Sequence, residues 1–153
     1  MTPCDTYLHD IVVMLGVRVE TIDDMPADRD GDYCHETRTI RLRNGMHARH
    51  HRSVLAHELG HAVFGDTPSQ FGPVNAKQER RAEEWAALRL ISLDDYRAAE
   101  HKCDGHEGSM AIELGVMRST VVAFRKVLAR VGDTVYMAPR MGAGQWVARL
   151  PQM

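Results

Sequence analysis

The sequence predicts an α+β fold: a small β-sheet supporting a helix that carries two paired histidines, then a helical, helix-turn-helix-like portion and a β-hairpin. Three observations predict it. Short segments with period-two alternation, Val17-Arg18-Val19-Glu20 and Thr39-Ile40-Arg41-Leu42, precede a run from Met46 to Phe64 that has few helix breakers. Ala82, Trp85, Ala86 and Leu90 then recur at helical spacing. Near the end, Val135 and Met137 alternate with Tyr136 before a glycine-rich turn.

In chain order, Thr2-Pro3 opens a helix that runs to about Leu15 and stops at Gly16. Asp23 to Asp32 reads as a surface loop, because Pro26, Gly31 and five aspartates leave little to bury. The ordered oxygen spacing of an EF-hand is missing, so a solvated loop is expected rather than a calcium site. Tyr33 to Arg43 predicts two short strands or one bent strand, ended by Asn44-Gly45. The motif helix follows and is stopped by Gly65-Asp66-Thr67-Pro68. A second long helix carries Glu79 to Leu88, and Ser92 caps a third that reaches about Lys102. After Cys103-Asp104-Gly105-His106, Met110 to Leu128 predicts two short helices about Gly115. Asp133 to Leu150 is expected to close the chain as a hairpin, with Gly142-Ala143-Gly144 at its turn and Trp146-Val147-Ala148 returning. The whole, 1–153, is expected to be one domain, divided into a core over 1–91, a helical portion over 92–131 and the hairpin over 133–150.

The chemistry lies in His57-Glu58-Leu59-Gly60-His61. Two imidazoles four residues apart project from one helix face and can grip one metal ion, while Glu58 stands beside a water rather than on the metal. Zinc held in this way brings the pKa of water toward about 7, and a carboxylate can then take its proton. Catalytic zinc takes a third protein ligand, and Glu79 on the next helix is assigned to it. Glu83, one turn further on the same face, is suited to accept the free ring N–H of a ligating histidine, and Glu84 points elsewhere. Gly60 costs about 1 kcal/mol in helix propensity relative to alanine, which a close backbone neighbour would explain.

With its two histidines followed by Glu79-x-x-Ala82-Glu83-x-Trp85-Ala86, the chain resembles the ImmA/IrrE family of zinc metallopeptidases, from Thr39-Ile40-Arg41-Leu42 to Leu114-Gly115-Val116. The resemblance implies a small gluzincin-like peptidase of the kind often carried by mobile elements and bacteriophages. It implies a protein substrate, a helix-turn-helix repressor or antitoxin-like regulator whose cleavage relieves repression. It also implies one zinc per chain held by His57, His61 and Glu79, with Glu58 as general base. Two positions depart from the family pattern: Glu83 stands where the family has Asp or Asn, and Trp85 where it has Phe.

Composition narrows the alternatives. A formal charge of −2 provides no basic field to attract nucleic acid or an anionic membrane, so proteins are the expected partners. The apolar run Ile11 to Leu15 is too short to span a membrane, and Asp5 and Asp10 precede it where a signal peptide carries positive charge, so a cytoplasmic location is expected. Cys4, Cys34 and Cys103 are an odd number without Cys-x-x-Cys spacing and read as free thiols. His47, His50 and His51 read as ordinary residues of a helix's first turns rather than as a second metal site. The helix pair about Gly115 has the outline of a DNA reader, with Arg118, Arg125, Lys126 and Arg130 as phosphate contacts. Glu107 and Glu113 dilute those cations, which favours a packing or substrate-docking role. The alternative function is a DNA-binding or protein-binding regulator with a non-catalytic zinc site; the presence of Glu58 and of three ligands rather than four argues against it. His101, His106 and Tyr33 are candidates for stabilising an oxyanion.

Overall fold

The computed structural model describes residues 3–131, 134–136 and 149–151. The chain forms two compact units, Met1–Ala86 and Ala87–Met153.

The first unit contains helix α1 (Pro3–Leu15), strands β1 (Arg18–Ile22), β2 (Gly31–Cys34) and β3 (Thr39–Arg43), helix α2 (Ala48–Phe64) and most of α3 (Gly72–Leu90). The strands make one sheet in the order β1-β3-β2. β3 runs parallel to β1, with Val19 opposite Ile40, and antiparallel to β2, with Tyr33 opposite Ile40. As the central strand, β3 buries Ile40 and Leu42 completely, and α2 lies against β2 and β3. Two strands rather than one bent strand thus occupy 31–43. The first of them, β2, begins inside the stretch expected to be loop, because Gly31 and Asp32 pair with Leu42 and Arg41. Two further acids of that loop make local bonds: Asp30 accepts from Arg43 and bonds His50, and Asp23 accepts from Asn44.

Helix α2 begins at Ala48, later than its composition suggests, because His47 is its N-cap and its ring nitrogen accepts the His50 N–H. His47 and His50 therefore have structural partners that involve no metal. Arg52 donates from Nε to Asp5 at 2.8 Å and fixes α1 to α2. The helix ends at Gly65, whose φ of 63° places it in the left-handed region, with its N–H on Ala62 O.

Where α2 meets α3, a Cβ placed on Gly60 would lie 3.0 Å from both the Cα and the carbonyl oxygen of Ala82. The glycine is therefore what lets the two helices approach at the level of the motif. Gly60→Ala gains about 1 kcal/mol of helix propensity but must push backbone apart, at an overpacking cost of about 1–3 kcal/mol. We expect a net loss of stability in urea unfolding, accompanied by weaker metal binding, since Ala82 lies between Glu79 and Glu83. A variant more stable than the parent would show that the helices part without cost.

The second unit has the end of α3, α4 (Leu93–Lys102), α5 (Glu107–Leu114) and α6 (Arg118–Val131). Ser92 caps α4 by accepting from the Asp95 N–H at 3.1 Å, as its spacing predicts. His106 caps α5 through Ser109, so α5 starts three residues earlier than its apolar pattern indicates. Tyr96, Met110, Val116, Val121 and Phe124 form the core, with the Tyr96 and Phe124 rings 4.9 Å apart. Of the cations on α6, Arg118 and Arg125 both bond Glu107, and Arg125 also donates to Tyr96 Oη and Gly105 O. These contacts use α6 for packing. Strands β4 (Thr134–Tyr136) and β5 (Arg149–Pro151) pair antiparallel, with Val135 opposite Leu150. The expected turn at Gly142-Ala143-Gly144 and the return through Trp146-Val147-Ala148 lie outside the described residues. Among the described residues, no helix is long and apolar enough to cross a membrane, and the three cysteines are unpaired.

Candidate metal centre

The one-face projection of His57 and His61 is a consequence of helical geometry: their rings lie 4.8 Å apart at 80°. Glu79 approaches from α3. His57 Nε2 lies 2.8 Å from Glu79 Oε2, and His61 Nε2 lies 3.2 Å from Glu79 Oε1. The potential ligand atoms of the three residues all fall within 4.8 Å of one another. Among the described residues they are the one group of three or more His, Cys, Asp or Glu side chains so placed.

Behind these atoms, each imidazole is held by a second carboxylate. His57 donates from Nδ1 to Glu83 Oε2 at 2.7 Å, the contact expected from the spacing on α3. His61 donates from Nδ1 to Asp66 Oδ2 at 2.9 Å. Sequence reasoning missed Asp66. It lies in the helix-stopping segment, a context that normally marks a solvated turn, yet its side chain is only 5% exposed. Its proximity to His61 in the chain, together with the αL cap at Gly65, was the available signal.

Whether these residues suit a metal ion is decided by their chemistry. Two imidazole nitrogens and a carboxylate oxygen are donors that zinc accepts, and each imidazole has its other nitrogen fixed by a carboxylate, as ligating histidines almost always do. The donor set fits a divalent cation. Glu79 is the most exposed of the three and remains reachable from solvent, whereas His61 is buried.

A family model for peptidases, described as the IrrE N-terminal-like domain, matches residues 14–124. The chain belongs to this IrrE N-terminal-like family. A comparison with curated proteins gave no match. Membership in this peptidase family gives the site its context: the matched stretch contains α2, α3 and every residue named above.

The electrostatics suit a hydrolytic site of this family. Burial pushes Glu58 up to about 7, although His57 and His61 pull the other way. Its carboxylate is therefore poised to exchange a proton near neutrality. Burial disfavours charge on His57, but its bonds to Glu79 and Glu83 outweigh this and push it up to about 10. His61 is raised in the same sense, against burial, by Glu79 and Asp66. The two imidazoles in turn hold Glu79 well below the usual carboxylate range.

A pH dependence follows for metal binding. Without a metal, His57 keeps its second proton up to about pH 10, and a ligating imidazole must give that proton up. Between pH 6 and 8 each proton displaced should raise the apparent affinity about tenfold per pH unit. Competition against a chromogenic chelator at several pH values measures the slope; an affinity independent of pH would show that no imidazole is deprotonated on binding.

Of the oxyanion candidates, Tyr33 bonds His35 Nδ1 through its hydroxyl at 2.9 Å, and His106 is occupied as the α5 cap. His101 lies exposed on the last turn of α4.

Proposed function

We propose that the protein is a zinc-dependent endopeptidase of the cytoplasm, with His57, His61 and Glu79 as the ligands of one zinc ion and Glu58 as general base. The observation that carries the proposal is the convergence of three metal-compatible donors beside the buried carboxyl of Glu58. A zinc ion bound there would supply Lewis-acid chemistry, acidifying water and polarising the scissile carbonyl.

The remaining work falls to the chain itself. Glu58 in its carboxylate form accepts the proton of the attacking water and, as the carboxylic acid, returns it to the nitrogen of the leaving amine. Its burial keeps bulk water from short-circuiting that transfer. Glu83 and Asp66 keep the imidazoles of His57 and His61 with Nε2 turned toward Glu79. The bonds of Arg118 and Arg125 to Glu107 within the second unit favour the peptidase over the DNA-binding alternative.

The substrate we propose is a helix-turn-helix repressor or antitoxin-like regulator. That choice is supported by the likeness to the ImmA/IrrE peptidases. The test is incubation of the purified protein with any helix-turn-helix repressor found to be encoded beside it, with and without chelator, followed by mass spectrometry of the products. Chelator-sensitive fragments are the expected outcome. An intact repressor, combined with salt-sensitive binding of the protein to duplex DNA, would favour the regulator reading.

A further inference from the structure

We propose that Arg81 is a positioning residue of the metal site: it fixes Asp66 in the orientation that lets this carboxylate hold His61. The inference rests on the ligand set proposed above and extends it to a side chain that meets neither histidine.

Asp66 is buried between two partners. Its Oδ2 accepts from His61 Nδ1 at 2.9 Å, and its Oδ1 accepts from Arg81 Nη2 at 2.6 Å. The guanidinium carbon of Arg81 lies 4.2 Å from the centroid of the Phe64 ring, so the group is clamped by a ring on one side and a carboxylate on the other. The backbone assists, with the Asp66 N–H on His61 O at 3.0 Å just past the left-handed Gly65. One feature of Arg81 is otherwise hard to explain. Its Nε is buried and has no hydrogen-bond partner, an arrangement that sacrifices one donor to keep Nη2 on Asp66.

The two histidines differ in how their carboxylates are supported. Glu83 stands on α3 itself, so the helix backbone aims it at His57. Asp66 stands in the segment between α2 and α3, where no helix constrains it, and a buried carboxylate with one free oxygen would turn toward water. Arg81 occupies that oxygen. With Glu79 meeting both Nε2 atoms, Glu83 meeting His57 Nδ1, and Arg81 reaching His61 Nδ1 through Asp66, α3 sets all four imidazole nitrogens.

The test is a coupling cycle on zinc affinity in the full chain, read by chelator competition on the wild type, Arg81→Met, Asp66→Asn and the double variant. Melting of the metal-free proteins is recorded alongside. Each single substitution should weaken zinc binding about 10–100-fold, the usual range for residues that orient a ligand. The double variant should be no weaker than the worse single, because both substitutions break the same relay. Arg81→Lys, which keeps a cation for Asp66 but loses the flat stack on Phe64, should stay closer to wild type than Arg81→Met, and carries the test if Arg81→Met does not fold. Losses that multiply in the double variant would overturn the proposal, as would a lower melting temperature at unchanged zinc affinity. A wild type that binds no zinc would remove the ligand set and this relay together, whereas a wild type that binds and an Arg81→Met that binds equally would remove the relay alone.

Discussion

Glu58→Gln is expected to abolish cleavage of the substrate while leaving zinc content unchanged. Glutamine keeps the length and shape of the side chain but cannot accept the proton, and a positioned general base contributes about 10²–10⁴-fold to rate. Comparison of cleavage by wild type, Glu58→Gln and chelator-treated wild type measures the loss. Equal cleavage by the variant would sink the proton-transfer role of Glu58. Stability supplies an independent readout. Burial raises the folded-state pKa of Glu58 from the ordinary glutamate value of 4.5 to about 7, so the fold prefers the neutral carboxyl. The penalty is absent below about pH 4.5, grows as pH rises through 7, and is complete above it. In metal-free protein, Glu58→Gln should therefore be more stable than wild type at pH 8, by on the order of 2–3 kcal/mol, with the gain vanishing toward pH 4. Denaturant unfolding at the two pH values decides this.

His57→Ala, His61→Ala and Glu79→Ala should each remove most of the single zinc ion expected in the wild type. Three donors converge within 4.8 Å, and a site reduced to two loses both the chelate geometry and the charge of the set. Metal analysis of the purified variants provides the measurement. Full occupancy in Glu79→Ala would reassign the third ligand, with Glu83 the next carboxylate on the same helix face. Glu83→Ala is expected to retain the ion with affinity lowered about 10–100-fold, since it touches His57 through Nδ1 and leaves Nε2 in place. The contrast between the two glutamates separates a ligand from a residue that orients one.

Much of this site could be read from residues close together in the chain. The i,i+4 spacing of His57 and His61, the place of Glu58 between them and the i,i+4 relation of Glu79 to Glu83 are properties of a helix, and a helix repeats the same geometry wherever it is packed. Ser92, Gly65 and strands β1 and β3 were legible for the same reason, as local capping and alternation patterns. Gly60 was legible as an anomaly, and its close neighbour proved to be Ala82. Asp66 was not, because its role requires the chain to turn back after α2 and bury a carboxylate that composition places in a loop. The capping role of His106 was not legible either, since a cap depends on where a helix begins and the apolar pattern placed that start at Met110.

The sequence by itself determined that His57 and His61 share one face of α2 with Glu58 beside them, and that Glu79 and Glu83 share a face of α3, because these relations depend on helical repeat. Only the tertiary structure decided that α2 and α3 approach closely enough at Gly60 and Ala82 for Glu79 to meet both imidazoles, and that Asp66 and Arg81 complete the support of His61. Those contacts join residues on separate elements, and their distances are set by how side chains pack between helices, which no periodicity along the chain encodes.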